Sequence, residues 1–336
     1  MSNIEARSPE GYAKDSPSQV YIALANMNLK KHRMFEHGRF NFAQCTFERK
    51  SELYKLLNDA YEFTLRKQKY NSKRLFGLRN MLGTQESGLK FLAFPEVAIP
   101  IEWLEEIAQF VRITGTAVVC GIKHFVKGDR IYNCVATVIP VGNNIGLYHN
   151  ALVVLREKND YSPDEISMIE HNKYKIPEIE NSYNCIFNWD GIRFSVFDCY
   201  ELTDIYARAI MKSKLDVLFA PEYNKDINYF SNIVDSASRD IYCFVAQINT
   251  SNYGDTKIVA PYKSELKCLL DIKGGEQDSI HIGSINLAEY REYQRFEGTQ
   301  EFKDWKDYER KKEKRESKQK YSEFKKYKRT SARHKK

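Results

Sequence analysis

The sequence contains no apolar run approaching the roughly 20 residues that span a bilayer. The first 18 residues are polar and hold no apolar signal core. A cytoplasmic protein with no membrane partner is therefore expected. Cysteine pairing is missing too: seven cysteines, at positions 45, 120, 134, 185, 199, 243 and 268, are odd in number and include no CxxC. That pattern argues against a disulfide framework and against a zinc site, and predicts reduced thiols. The seven histidines show no HxH or HExxH spacing, so no catalytic metal has a visible ligand set. No Pro/Ser-rich linker divides the chain and no internal repeat is visible, which favours one large domain.

What is present is a core-forming composition. Of 336 residues, 42% are apolar and 13% aromatic, enough for a globular core of ordinary size. The net charge of +7 belongs to one end. Residues 301–336 hold 16 Lys/Arg against 7 Asp/Glu, which leaves 36 against 38 for residues 1–300. We expect a disordered lead-in over 1–18, a folded body over 19–296 and a basic, charged extension over 297–336. In the extension, Trp305, Tyr308, Tyr321, Phe324 and Tyr327 stand among the cations. Such a tail is either a solvated terminus or a contact for nucleic acid, where counterion release and base stacking would act.

Within the body, hydrophobic periodicity alternates between strand and helix. Val20–Asn28 and Leu89–Phe94 read as strands, Glu48–Gln68 and Glu102–Thr114 as amphipathic helices, and 116–122, 131–139 and 150–156 as further strands. Strand 192–197, a helix over Glu201–Lys212, strand 216–220, a helix over 227–237 and strands near 242–248, 257–260, 267–270 and 279–285 follow. Repeated strand–helix units predict an α/β layer fold.

One stretch stands out, Gly191-Ile-Arg-Phe-Ser-Val-Phe-Asp-Cys-Tyr-Glu201. It places Cys199 at a strand-to-helix corner, where free backbone N–H groups favour thiolate and can hold an oxyanion. A thiol attacking a carbonyl or nitrile carbon also needs a base and a cationic donor. No histidine is well placed for either role. Glu96 follows a buried strand and a proline, so a rigid strand end aims its carboxylate. A lysine in Asn172-Lys-Tyr-Lys-Ile-Pro177 could supply the cation.

Phe94-Pro-Glu96, Lys173-Tyr-Lys-Ile-Pro177 and the Cys199 stretch, in that order, resemble the three signature blocks of the nitrilase, or carbon–nitrogen hydrolase, superfamily. Tyr132-Asn-Cys-Val-Ala136, Leu215-Asp-Val-Leu-Phe-Ala-Pro221, Ser236-Ala-Ser-Arg239 and Val245-Ala-Gln-Ile-Asn249 are similar to further strands and a helix of that family, so the resemblance covers about 20–296. It implies a four-layer αββα sandwich. It implies a triad of Glu96 as base, Lys173 as oxyanion stabiliser and Cys199 as nucleophile, with the Tyr200 N–H in the oxyanion hole and Glu180 positioning substrate. Lys175 then stands where the family pattern Lys-x-His-x-Pro has histidine. The implied chemistry is amidase-type hydrolysis of a non-peptide amide, or of a nitrile, through a thioester, without cofactor or metal, in a homodimer or larger homo-oligomer.

The sequence departs from the family in two places. The stretch between Glu180 and the Cys199 strand is short, and Leu155–Asn172 reads as a charged insertion. Asp198 directly precedes the thiol, and strand alternation is expected to turn it away. The alternative reading is a nitrilase-like binding or scaffold component of a nucleic-acid-associated system, with the basic tail and the insertion doing the recognition; the similarity to nitrilase-like domains linked to bacterial antiviral reverse transcriptases makes a defence system one setting for it.

Overall fold

The computed structural model describes residues 3–5, 17–29, 46–75, 88–142, 148–178, 184–262 and 266–291. The basic extension and Glu180 lie outside the described residues. The described chain runs β1 (Asn3–Glu5), β2 (Gln19–Asn26), α1 (Thr46–Leu75), β3 (Leu89–Ala93), α2 (Leu104–Thr114), β4 (Ala117–Lys127), β5 (Arg130–Gly142) and β6 (Tyr148–Glu157). It continues through α3 (Pro163–His171), β7 (Ile186–Trp189), β8 (Ile192–Val196), α4 (Ile205–Met211), β9 (Val217–Glu222), α5 (Ile227–Ile241), β10 (Phe244–Asn249), β11 (Thr256–Val259), β12 (Cys268–Ile272) and β13 (Ser279–Asn286).

The strands form two sheets, one ordered β1-β7-β8-β9-β10-β11-β12 and the other β13-β2-β3-β4-β5-β6. Alternation along each strand divides the apolar side chains between two faces. One set, including Ile22, Phe91, Val119, Phe194, Phe219 and Phe244, meets between the sheets. There Phe91 stands 5.0 Å from both Phe194 and Phe219, ring centroid to centroid. The opposite face of the second sheet packs on Leu53, Leu56 and Leu57 of α1 and on Ile107, Phe110 and Val111 of α2. That of the first sheet packs on Ala207 and Met211 of α4 and Val234, Ala237 and Ile241 of α5. Helix, sheet, sheet and helix make the four-layer αββα sandwich.

The structure departs from the sequence-based expectation in three places. Asn3–Glu5, inside the stretch expected as a disordered lead-in, pairs in parallel with β7. The polar stretch after β6 contains α3, whose start is marked by Ser162 accepting a hydrogen bond from the Glu165 N–H and by Pro163 in the first turn. The helix expected over 201–212 is a 3₁₀ turn over Cys199–Thr203, followed at Asp204 by an extended residue that caps α4. The corner at Cys199 therefore has a single tight turn behind it, so the helix dipole contributes little there. Among the described residues no helix is long and apolar enough to cross a membrane.

Close backbone packing positions Glu96. Gly121 of β4 donates its N–H to the Pro95 carbonyl and accepts from the N–H groups of Ala98 and Ile99. A Cβ at Gly121 would lie 2.3 Å from Glu96 Cα and 2.7 Å from both the Pro95 carbonyl oxygen and the Val97 nitrogen. Only glycine lets the strand approach this far. Gly121→Ala is expected to destabilise the fold by about 1–3 kcal/mol through overpacking, read as a lower urea midpoint; an unchanged midpoint would contradict this packing.

Candidate functional site

Glu96, Lys158 and Cys199 each follow the C-terminal end of a strand: β3, β6 and β8 respectively. Glu96 sits between Pro95 and Val97, whose φ of 52° turns the chain sharply. Its carboxylate is 4% exposed and fully engaged. Oε1 accepts from Lys158 Nζ at 2.6 Å and from Asn133 Nδ2 at 2.9 Å, and Oε2 accepts from the Tyr223 N–H at 2.9 Å. Asn133 belongs to the Tyr-Asn motif on β5, and its carbonyl accepts from the Lys158 N–H.

Lys158 is 1% exposed and also donates to Glu165 Oε2 at 2.8 Å. Glu165 in turn accepts from Asn133 Nδ2 at 2.7 Å and contacts His124 Nε2 at 3.1 Å. Burial opposes the charge on Lys158, but the two carboxylates override it and raise its pKa well above the usual lysine range. Burial likewise works against ionised Glu165; Lys158 and His124 outweigh it and hold its carboxyl well below the ordinary value. Lys158 is thus held between the carboxyl groups of Glu96 and Glu165, and their charges favour its ammonium form.

Cys199 is 9% exposed and adopts φ 49°, a left-handed conformation that a non-glycine residue holds only when its surroundings dictate it. Burial, then the charges of Glu96 and Glu222, push its thiol well up, while Lys158 and the Tyr223 N–H favour the thiolate. The resting sulfur is therefore protonated, and a base must take its proton as it reacts. Asp198 is wholly buried, and neither of its oxygens has a hydrogen-bond partner among the described residues. Burial, followed by the charge of Glu96, raises its pKa well above the carboxylate range. Burial thus favours its neutral form over a negative charge.

The cysteine corner is tied to the lysine strand by one buried ion pair. Arg156 donates two hydrogen bonds, both 2.6 Å, to the two oxygens of Glu201. Glu201 also accepts from the Asn159 N–H at 2.5 Å and the Asp198 N–H at 2.6 Å. Residues flanking Lys158 are thereby fastened to residues flanking Cys199.

The structure brings together Glu96 and Cys199 of the expected triad but not Lys173. Lys173 lies just past α3 with φ 61°, and its side chain is exposed. Among the described residues the hydrogen bonds to Glu96 come from Lys158, Asn133 and Tyr223, not from Lys173. Lys175 is also exposed and pairs with Asp129. Tyr200 is half-buried within the 3₁₀ turn. Lys158 and Glu165 fall in the charged segment that stands outside the family pattern as an insertion. Position is the sequence signal: Lys158 directly follows β6, and Glu96 and Cys199 each stand a short junction past the end of β3 and of β8.

Neither the family models nor the curated proteins compared include a match to this sequence. Among solved structures, the chain is similar to a CN-hydrolase superfamily protein from Xanthomonas campestris with an arsenic adduct in its active site. They share 13% identity over 82% of this chain and 94% of that one, with a TM-score of 0.48. It is similar, at 12% identity over 84% and 95% and a TM-score of 0.49, to a cysteine-to-alanine mutant of an amidase from Nesterenkonia sp. AN1 of the nitrilase superfamily. Another mutant of that amidase, with the acetamide moiety of fluoroacetamide covalently added at its active-site cysteine, shares 12% identity over 84% and 96%, with a TM-score of 0.48.

Removing one partner of the corner ion pair strands a buried charge. Arg156→Ala is expected to cost about 3–5 kcal/mol in denaturant unfolding. A loss within the small range of surface substitutions would show that the pair does not hold the corner.

Proposed function

We propose that this protein is a carbon–nitrogen hydrolase of the nitrilase type that cleaves a small, non-peptide amide through a thioester on Cys199, with Glu96 as general base and Lys158, not Lys173, as the cation for the oxyanion. The observation that carries this reading is the convergence of a buried strand-end carboxylate, a buried ammonium and a strained cysteine on one network. A structural lysine would satisfy itself in the same way, but a structural cysteine has no need of a left-handed backbone beside two carboxylates.

In this reading Glu96 accepts the thiol proton as the Cys199 sulfur attacks the amide carbon, so charge never rests on a buried thiolate alone. An ammonium has three N–H donors, and Lys158 gives two of them to Glu96 and Glu165. The third is directed to the carbonyl oxygen as its negative charge develops. The Tyr200 N–H is the second donor proposed for that oxygen. The C–N bond then breaks, and protonated Glu96 gives its proton to the departing amine. Water enters, Glu96 takes one of its protons, and the hydroxyl attacks the thioester. The sulfur leaves with the proton returned from Glu96, releasing a carboxylic acid. Glu165 keeps Lys158 charged and aimed throughout.

Cys199→Ala is expected to abolish amine or ammonia release from amides and to remove any acyl mass adduct, with the thermal transition retained. Glu96→Gln should lower turnover by roughly three orders of magnitude, because the same group serves as base and acid. Steady-state assays on a panel of aliphatic amides, with intact-mass spectra, check both. A Cys199→Ala protein that still turns over would end this mechanism.

A further inference from the structure

Five carboxylates of the described chain are buried to within a few per cent: Glu96, Asp198, Glu201, Asp216 and Glu222. Glu96 has Lys158, Glu201 has Arg156, and Asp216 has Arg291 and Arg193. Asp198 forms no ion pair among the described residues, but both Lys158 and Arg156 act on it favourably. Glu222 is the different case. Among the described residues it forms no ion pair, and Lys257, which acts on it, is already held by Asp255 and by Ser231. An isolated buried carboxylate is expensive, and such a group calls for an explanation.

Its place in the fold supplies one. Along β9, Leu218 and Ala220 face the helix layer, as Val245 does along β10. Two residues on, the same row turns polar with Glu222, the last residue of β9, and Gln247 of β10. Gln247 Nε2 donates to Glu222 Oε2 at 2.8 Å. Glu222 Oε1 and Gln247 Oε1 are both buried and have no hydrogen-bond partner among the described residues. Glu222 acts electrostatically on both Cys199 and Glu96, and the next residue is Tyr223, whose N–H binds Glu96. Two buried acceptor oxygens without a partner among the described residues thus share one pair, whose carboxyl acts electrostatically on the proposed reacting sulfur.

We propose that Glu222 and Gln247 form a subsite for a positively charged nitrogen on the substrate, so that the amide cleaved at Cys199 belongs to a molecule carrying an ammonium or guanidinium group. An ammonium presents several donors to acceptor oxygens and supplies the charge that Glu222 lacks. Burial pushes the Glu222 carboxyl up to about 8, the direction expected of a carboxyl awaiting a cation. The inference rests on reading Cys199 as the nucleophile and adds the substrate class to it.

The test is alkylation of Cys199 by two chloroacetamides of matched size, N-(2-aminoethyl)chloroacetamide and the neutral N-propyl compound, followed by intact mass and peptide mapping. In each, the sulfur displaces chloride and gives up its proton. The wild-type protein is expected to react with the cationic compound at least roughly tenfold faster than with the neutral one, as a buried charge pair would provide. In Glu222→Gln that ratio should fall toward one. The wild-type ratio decides the matter even if the variant does not fold. Equal rates, or faster labelling by the neutral compound, would overturn the subsite and leave the nucleophile standing. Failure of both compounds to label Cys199 would overturn the nucleophile, and the subsite with it.

Discussion

The bidentate pair between Arg156 and Glu201 is the interaction on which the site depends. The sandwich brings two sheets face to face, but apolar packing between Phe91, Phe194 and Phe219 is not directional enough to register one strand end against another. Glu201 does so. It receives two hydrogen bonds from Arg156 and one each from the N–H groups of Asn159 and Asp198. Lys158 lies between the first two of those residues in sequence, and Cys199 lies between Asp198 and Glu201. A single carboxylate therefore sets the separation of the ammonium and the thiol. The ion pair is almost fully buried, so its value lies in geometry more than in net stability.

The alternation of strands and helices, the Glu96 strand end and the Cys199 corner were legible because each is a local pattern, a β-rich run, then a proline or a short polar junction, then one reactive residue; the four-layer order was implied by the family resemblance. Lys158 was not legible for the opposite reason. Its role depends on Asn133 across β5 and on Glu96 from β3, contacts that periodicity does not carry. Lys173-Tyr-Lys-Ile-Pro177 offered a closer match in spacing, yet α3 intervenes and carries that lysine to the surface. The start of α3 was written in Ser162-Pro-Asp-Glu165, and recognising it would have shown that the polar stretch folds and that Glu165 turns inward.

Electrostatics also separates what the sequence ran together. Asp198 directly precedes Cys199, and desolvation disfavours its charge. Cys199 lacks a long helix behind it, so Lys158 and the Tyr223 N–H, more than a macrodipole, offset the burial of its charge. Unpaired buried carboxyls and a left-handed cysteine each subtract from stability. Their concentration at a single point is the pattern of a chemically committed site.

The most direct test compares the two lysines. After exposure of wild-type, Lys158→Ala and Lys173→Ala proteins to a pool of small amides, intact mass should reveal an acyl adduct on Cys199 in the wild-type and Lys173→Ala proteins. Lys158→Ala should show none and should turn over slower by roughly three orders of magnitude. An adduct that survives in Lys158→Ala and vanishes in Lys173→Ala would contradict the account.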